Sequence, residues 1–501
     1  MCRPEPTSAP ILLGTTWLSA FIAGRPAAGS GAFATPASGV HRSNPDFARH
    51  DSLADAALTA SSGHYQSRTA SHVRTARLNS VRSLSMYAVC LALQLIGAAP
   101  SFAQMAVEVP PAPQPGAVTT WTLLADRLGG GLPNWRTMAL MHLAMHDALN
   151  AAEPHYARFA PAAADEPLPS GAAPAVAMAA AAFQVLIARH PDQIALVEPN
   201  FRAALSANGI TDQKGLEAGI RLGAAVGLAM VERTAASSRP AVPFPAGNAP
   251  GQWRPTPPFF QHGLVAEDRP LLAGNRAELH GAPPPLPGSP QALADLGEVR
   301  RLGAEFSTER SAAQTEAALF WGQQTSQRGF VHLAVALLAE HPPAGGLWAE
   351  ARAMAQITAA LADAYVIAWD NKRHFGFWRP ITAITEGDRV HVAPEPGWEP
   401  LLPTPPHPDH PSAHSADCAT AARVLQGVFG PELQTVTYVA VDARPPAARR
   451  FPNLAAAARE CSQSRIWAGA HFRAATEAGQ RLGEKIGARA LAAMRPLHAP
   501  P

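Results

Sequence analysis

The chain has 501 residues, 47% of them hydrophobic, and a formal net charge of only +2. That length can bury a large core, and so balanced a charge gives no reason to expect nucleic acid or a membrane surface as the partner. Lysine occurs only at Lys214, Lys372 and Lys485, so arginine supplies nearly all the positive charge.

Residues 1–72 mix Ser, Ala, Gly, Arg and His without hydrophobic periodicity and are read as a disordered or mis-assigned leader, the true start lying downstream of residue 1. Residues 73–103 then read as a signal peptide: Arg74, Arg77 and Arg82, an apolar run from Met86 to Ala99, and small residues at Ser101-Phe102-Ala103. The run is too short for a transmembrane helix, which needs about 20 residues. The expected location is therefore periplasmic or secreted. Cys2 and Cys90 would leave with the leader, and Cys418 and Cys461 remain. An oxidising compartment permits a disulfide between them, and two buried thiols fit the spacing equally well.

After a proline-rich linker (104–118), apolar residues recur at helical spacing almost throughout. The expected fold is all-α: two packed helical bundles, 119–240 and 295–495, joined by a proline-rich connection over 241–294, with an anion site in the C-terminal bundle. Only TVTYVAV, Thr435 to Val441, reads as a strand. In the first bundle His142 and His146 stand at i, i+4 with Asp147 beside them, a spacing able to ligate a metal. Leu143 occupies the place where a zinc hydrolase needs a glutamate, so these are read as structural polar residues.

Three blocks in the last third carry the chemistry: KRHFGFWRP with Lys372 and Arg379, PSAHS with Ser412 and His414, and SRIWAGAHFR with Arg465 and His471. Lys372 and Arg379 are seven residues apart, about 20° short of two helical turns, so one helix would aim both at one site, with Pro380 ending it. Ser412 leads into a helix whose free N–H groups suit an anion, and is also an N-cap candidate. Arg465 is expected in the turn before a helix carrying His471. Asp363, on the same helical run as Lys372, is a candidate buried partner for a site arginine. Three cations, a hydroxyl, a helix start and two imidazoles fit a tetrahedral or trigonal-bipyramidal oxyanion such as phosphate or vanadate.

K-x6-R-P, then P-S-x-H, then S-R-x5-H resembles the signature of vanadium-dependent haloperoxidases and type 2 phosphatidic acid phosphatases, over about Leu361 to Ala490. WRTMALMHLAMHDALNA and PGQWRPTPPFF are similar to segments of the bacterial haloperoxidase-like branch. The resemblance implies one vanadate per chain ligated by His471, hydrogen peroxide as co-substrate, and halide plus a small organic acceptor as substrates. It implies that His414 is the acid–base, that Lys372, Arg379 and Arg465 neutralise equatorial oxygens, and that Ser412 and the Ala413 amide donate hydrogen bonds. Trp369 and His407 would line the halide side, the imidazole favouring bromide over chloride. The alternatives are a soluble acid phosphatase using a phosphohistidine at His471, acting on a phosphomonoester, and a non-catalytic anion-binding protein of the same fold. A homo-oligomer stays open. Two positions depart from the family: Ala413 replaces a glycine, where the methyl is harmless only at negative φ, and Ala475 replaces an aspartate that would orient the last histidine.

Overall fold

The structure, a computed structural model, describes residues 106–112, 114–129, 134–160, 171–207, 212–235, 242–259, 264–265, 269–323, 325–388, 390–431 and 433–497. The expected leader and signal peptide lie outside these residues. The described residues fall in one compact unit that is helical apart from short sheets, as expected.

The N-terminal group comprises α1 (Ala117–Leu128), α2 (Trp135–Ala152), α3 (Pro174–Arg189), α4 (Ile194–Ala207) and α5 (Gln213–Ala235). α2 sits at its centre, and every residue from Thr137 to Asn150 is buried. α3 and α5 touch along an alanine-rich seam, where a Cβ on Gly223 would come within 2.1 Å of the Ala177 carbonyl. The polar residues of α2 find protein partners, since an unpaired buried polar group is costly. His142 Nε2 lies 2.9 Å from Thr122 Oγ1 and its Nδ1 2.9 Å from the Met138 carbonyl. His146 Nε2 reaches the Ala157 carbonyl, and Asp147 accepts the N–H groups of Phe159 and Ala160 at 2.7 Å. These are structural roles.

The connection carries two short paired strands, β2 (Val242–Pro243) and β3 (Leu264–Val265). After it come α6 (Pro290–Leu302), α7 (Ala312–Gly322), α8 (Ser326–Glu340), the 30-residue α9 (Gly346–Phe375) and α10 (Pro380–Glu386). α9 packs on α2 and also on α11 (Ala413–Phe429) and α13 (Arg473–Ala492), so one helix serves both bundles. Its Asp363 accepts the backbone N–H groups of Leu271, Leu272 and Ala273 at 2.5–2.7 Å. It therefore pins the connection to α9 and does not pair with a site arginine as expected.

Between α11 and α12 (Leu454–Trp467) lie β4 (Val436–Ala440) and β5 (Ala447–Phe451). β5 pairs antiparallel with β4 and with β1 (Ala106–Val107), which falls inside the span read as a linker. β4 is the strand read from TVTYVAV. β5 escaped that reading because its sequence, AARRF, lacks β-branched residues. Tertiary ion pairs sustain it: Arg449, 1% exposed, meets Glu460 and Glu316, both at 2.9 Å.

α11 and α13 form the other close pair. A Cβ on Gly479 would lie 2.3 Å from the Ser412 carbonyl and one on Gly483 2.3 Å from that of Ala416. These two glycines let α13 run directly against the start of α11, where Ser412 N donates to Ala475 O at 2.9 Å.

Candidate oxyanion site

α9 ends at Phe375 because Gly376 turns left-handed, at φ 53°, and its N–H closes on the Lys372 carbonyl. α10 starts at Pro380 with Arg379 as N-cap. The block is therefore not one helix, and Pro380 begins a helix where the spacing suggested an end. Proline suits the first turn because its missing N–H would be unpaired there. The turn still brings both cations inward, and each is fully buried.

Backbone carbonyls hold them. Lys372 Nζ donates to the carbonyls of Pro408 (2.6 Å) and Asp409 (2.9 Å). Arg379 donates from Nε to His407 O (2.8 Å), from Nη1 to Ala470 O (2.7 Å) and from Nη2 to His407 Nδ1 (3.0 Å). These neutral acceptors fix the side chains, and the buried Asp409 carboxylate, 3.8 Å from Arg379 Nη1, is the charged group beside them.

Ser412 caps α11 as expected. Its Oγ accepts from Ser415 N at 3.3 Å and from Ser415 Oγ at 3.0 Å, which takes both lone pairs and leaves its proton to donate elsewhere. Ala413 opens the helix at negative φ, since Met494 is the sole non-glycine with positive φ among the described residues. Its methyl therefore sits without backbone strain.

The third block reverses its expected layout. Arg465 lies in the last turn of α12, Gly469 turns the chain at φ 74°, and His471 sits in the loop before α13. Backbone bonds from Ala470 N and His471 N to Arg465 O close this turn and bring the two residues to one place.

The side chains share one field. Burial, then the neighbouring Arg379, pushes the Lys372 ammonium well below its usual value. Burial lowers Arg379 and Arg465 to about 10 each. His414 is held well below its ordinary value by burial and Arg465, and His471 by burial and then Arg379, Lys372 and Arg465. Each shift reflects desolvated positive charge. Arg465 Nε and Nη1 and His414 Nε2 are buried and have no hydrogen-bond partner among the described residues. Buried guanidinium N–H groups with nothing to accept them fit an anion of several oxygens, so this donor set suits vanadate or phosphate.

His407 and Trp369 lie beside this cluster. Their ring centroids are 4.9 Å apart, and Phe244 from the connection lies 6.4 Å from His407. Cys418 and Cys461 form a disulfide that ties α11 to α12. One ring nitrogen of His414 lies within 4.8 Å of both sulfurs, but a closed disulfide offers no thiolate to a metal.

One polar residue of the site escaped the reading of the sequence. Asp409, completely buried, places Oδ1 2.7 Å from His471 Nδ1. Burial raises it to about 7 against the opposing pull of Arg379 and Lys372. A signal was present, an acid three residues before Ser412 in a loop stiffened by prolines. Nothing in that spacing says which way the side chain turns.

Residues 352–499 match the family model described as the VCPO second helical-bundle domain. Among solved structures, a bacterial vanadium-dependent iodoperoxidase is similar at a TM-score of 0.64 and 21% identity, covering 78% of this chain and 100% of that one. A holo-type bacterial vanadium-dependent chloroperoxidase is similar at a TM-score of 0.54 and 15% identity, covering 77% of this chain and 94% of that one. An apo-type bacterial vanadium-dependent chloroperoxidase is similar at a TM-score of 0.52 and 15% identity, covering 72% of this chain and 92% of that one. No curated protein matches the chain. At these identities the structural likeness establishes the fold alone.

Proposed function

Since the chain belongs to the vanadium haloperoxidase and type 2 phosphatidic acid phosphatase superfamily, we propose that it is a vanadium-dependent haloperoxidase whose vanadate is ligated by His471. The observation that carries this reading is the set of unpartnered buried donors on Arg465, beside two more buried cations and an imidazole. Vanadate bound there supplies Lewis-acid activation of hydrogen peroxide for oxidation of a halide.

The chain's residues have separable tasks. His471 would hold the metal through Nε2. Lys372, Arg379 and Arg465 compensate the oxyanion charge, and their carbonyl partners keep them in place before any ligand arrives. The Ser412 hydroxyl and the Ala413 N–H donate to the anion at the start of α11, where the helix dipole adds to them. His414 Nε2, with no hydrogen-bond partner among the described residues, takes up or delivers the peroxide proton. Trp369, His407 and Phe244 form an aromatic wall for the halide, and the His407 imidazole favours bromide over chloride. The disulfide and the reading of 73–103 as a signal peptide together support an oxidising compartment, periplasmic or extracellular.

The second reading, a phosphatase working through a phosphohistidine at His471, draws on the Asp409 contact, which makes Nε2 a better nucleophile. One preparation assayed two ways separates them. Bromination of a dione with vanadate and peroxide supports the first reading, and nitrophenyl phosphate cleavage without any halogenation supports the second. Bromination by vanadium-free protein at the full rate would rule out the metal mechanism.

A further inference from the structure

A neutral imidazole has one donor and one acceptor nitrogen, and its neighbours decide which is which. At His471 the contact to Asp409 makes that choice. Arg379 Nη1 lies 3.1 Å from Nε2 and 3.4 Å from Nδ1, too nearly equidistant to select between them. Asp409 Oδ1 lies 2.7 Å from Nδ1, and a carboxylate accepts, which places the proton on Nδ1 and the lone pair on Nε2. Asp409 is itself held from both sides, its N–H donating to Phe377 O at 2.9 Å and its carbonyl accepting from Lys372 Nζ at 2.9 Å. The position four residues after His471 holds Ala475 and offers no carboxylate.

We propose that Asp409 is the positioning carboxylate of His471: reaching in from the loop before α11, it fixes the ring orientation and holds the proton on Nδ1, so that Nε2 faces the oxyanion. The role rests on the proposed oxyanion function only for its consequence, since the tautomer is a property of the protein alone. Ala475 and Asp409 line the same pocket, together with Phe472 and Asp295. A carboxylate introduced at 475 would enter the pocket that Asp409 lines.

The test uses full-length protein labelled with nitrogen-15 at histidine, in wild type, D409A, D409N and the double variant D409A/A475D. Nitrogen-15 spectra identify the tautomer, and titration with orthovanadate and with inorganic phosphate gives anion affinity apart from turnover. Wild type is expected to show a single Nδ1–H tautomer at His471. D409A is expected to show both tautomers and anion affinity about 10–100-fold weaker. D409N, close in volume and so the safer folding control, loses affinity by about tenfold while its circular dichroism stays that of wild type. The double variant is expected to regain the single tautomer and most of the affinity. Unchanged tautomer and affinity in both single variants would overturn the proposal, as would a D409A defect that A475D leaves untouched. If wild type binds neither anion, the oxyanion reading fails while the tautomer measurement still decides the role of Asp409.

Discussion

Cys418 and Cys461 are joined one helical turn from His414 on α11 and one turn from Arg465 on α12. The disulfide thus clamps together the two helices that present the acid–base candidate and the unpartnered guanidinium. It closes a separation of 43 residues, for which cross-linking stabilises by about 2–4 kcal/mol. Replacing both cysteines by serine is expected to lower stability by about that much and to weaken vanadate binding as well. Chemical denaturation and vanadate titration of the same variant check both halves. Lost stability with unchanged affinity would mean that the clamp serves the fold alone.

Arg465 gives the sharpest contrast between binding and stability. Its Nε and Nη1 are buried without hydrogen-bond partners among the described residues, so removing the charge relieves a desolvation cost. Arg465→Met is expected to raise thermal stability in the absence of anions while weakening vanadate binding by about 100-fold. Arg465→Lys keeps the charge but not the planar fork and should fall between the two. Melting curves with and without vanadate read both effects, and a variant that melts earlier without vanadate contradicts this account.

Gly479 controls how closely α13 approaches the site. A methyl there would stand 2.3 Å from the Ser412 carbonyl, a backbone atom that cannot step aside. Gly479→Ala should therefore displace the start of α11 and weaken anion binding at least about tenfold. Gly297→Ala on α6, where the nearest atom is the end of the Arg301 side chain at 3.3 Å, is the control. It should be neutral or slightly stabilising.

His142 sets an acid limit on the first bundle. It is completely buried, and desolvation lowers it to about 4 from 6.5, despite the opposing bond to Met138. The unfolded chain therefore binds the proton first, and stability is lost as pH falls from about 6.5 towards 4. The loss amounts to about 2–3 kcal/mol at pH 4.5. Urea denaturation at pH 7 and pH 4.5 should show it. His142→Gln should flatten that pH slope by the same amount, whatever it does to stability at pH 7.

The helices, the strand β4 and the grouping of buried cations were legible in the residues because each depends on local signals. Apolar spacing reports a buried helical face, Ser412 before a helix reports a cap, and three ordered blocks of cations report a common charge to meet. The details that failed share a cause. Lys372 and Arg379 were read as one helix, yet Gly376 and Pro380 break it and restart it. Arg465 and His471 exchanged helix and loop, and Asp363 took backbone N–H groups from a segment some 90 residues away in the chain. Asp409 belongs with them, since its acidity was plain and its direction was not. Residue type and spacing establish which charges and donors a chain owns, because those are covalent facts. Which nitrogen of His471 carries the proton depends on Asp409 reaching Nδ1 from the loop before α11, and only packing brings it there.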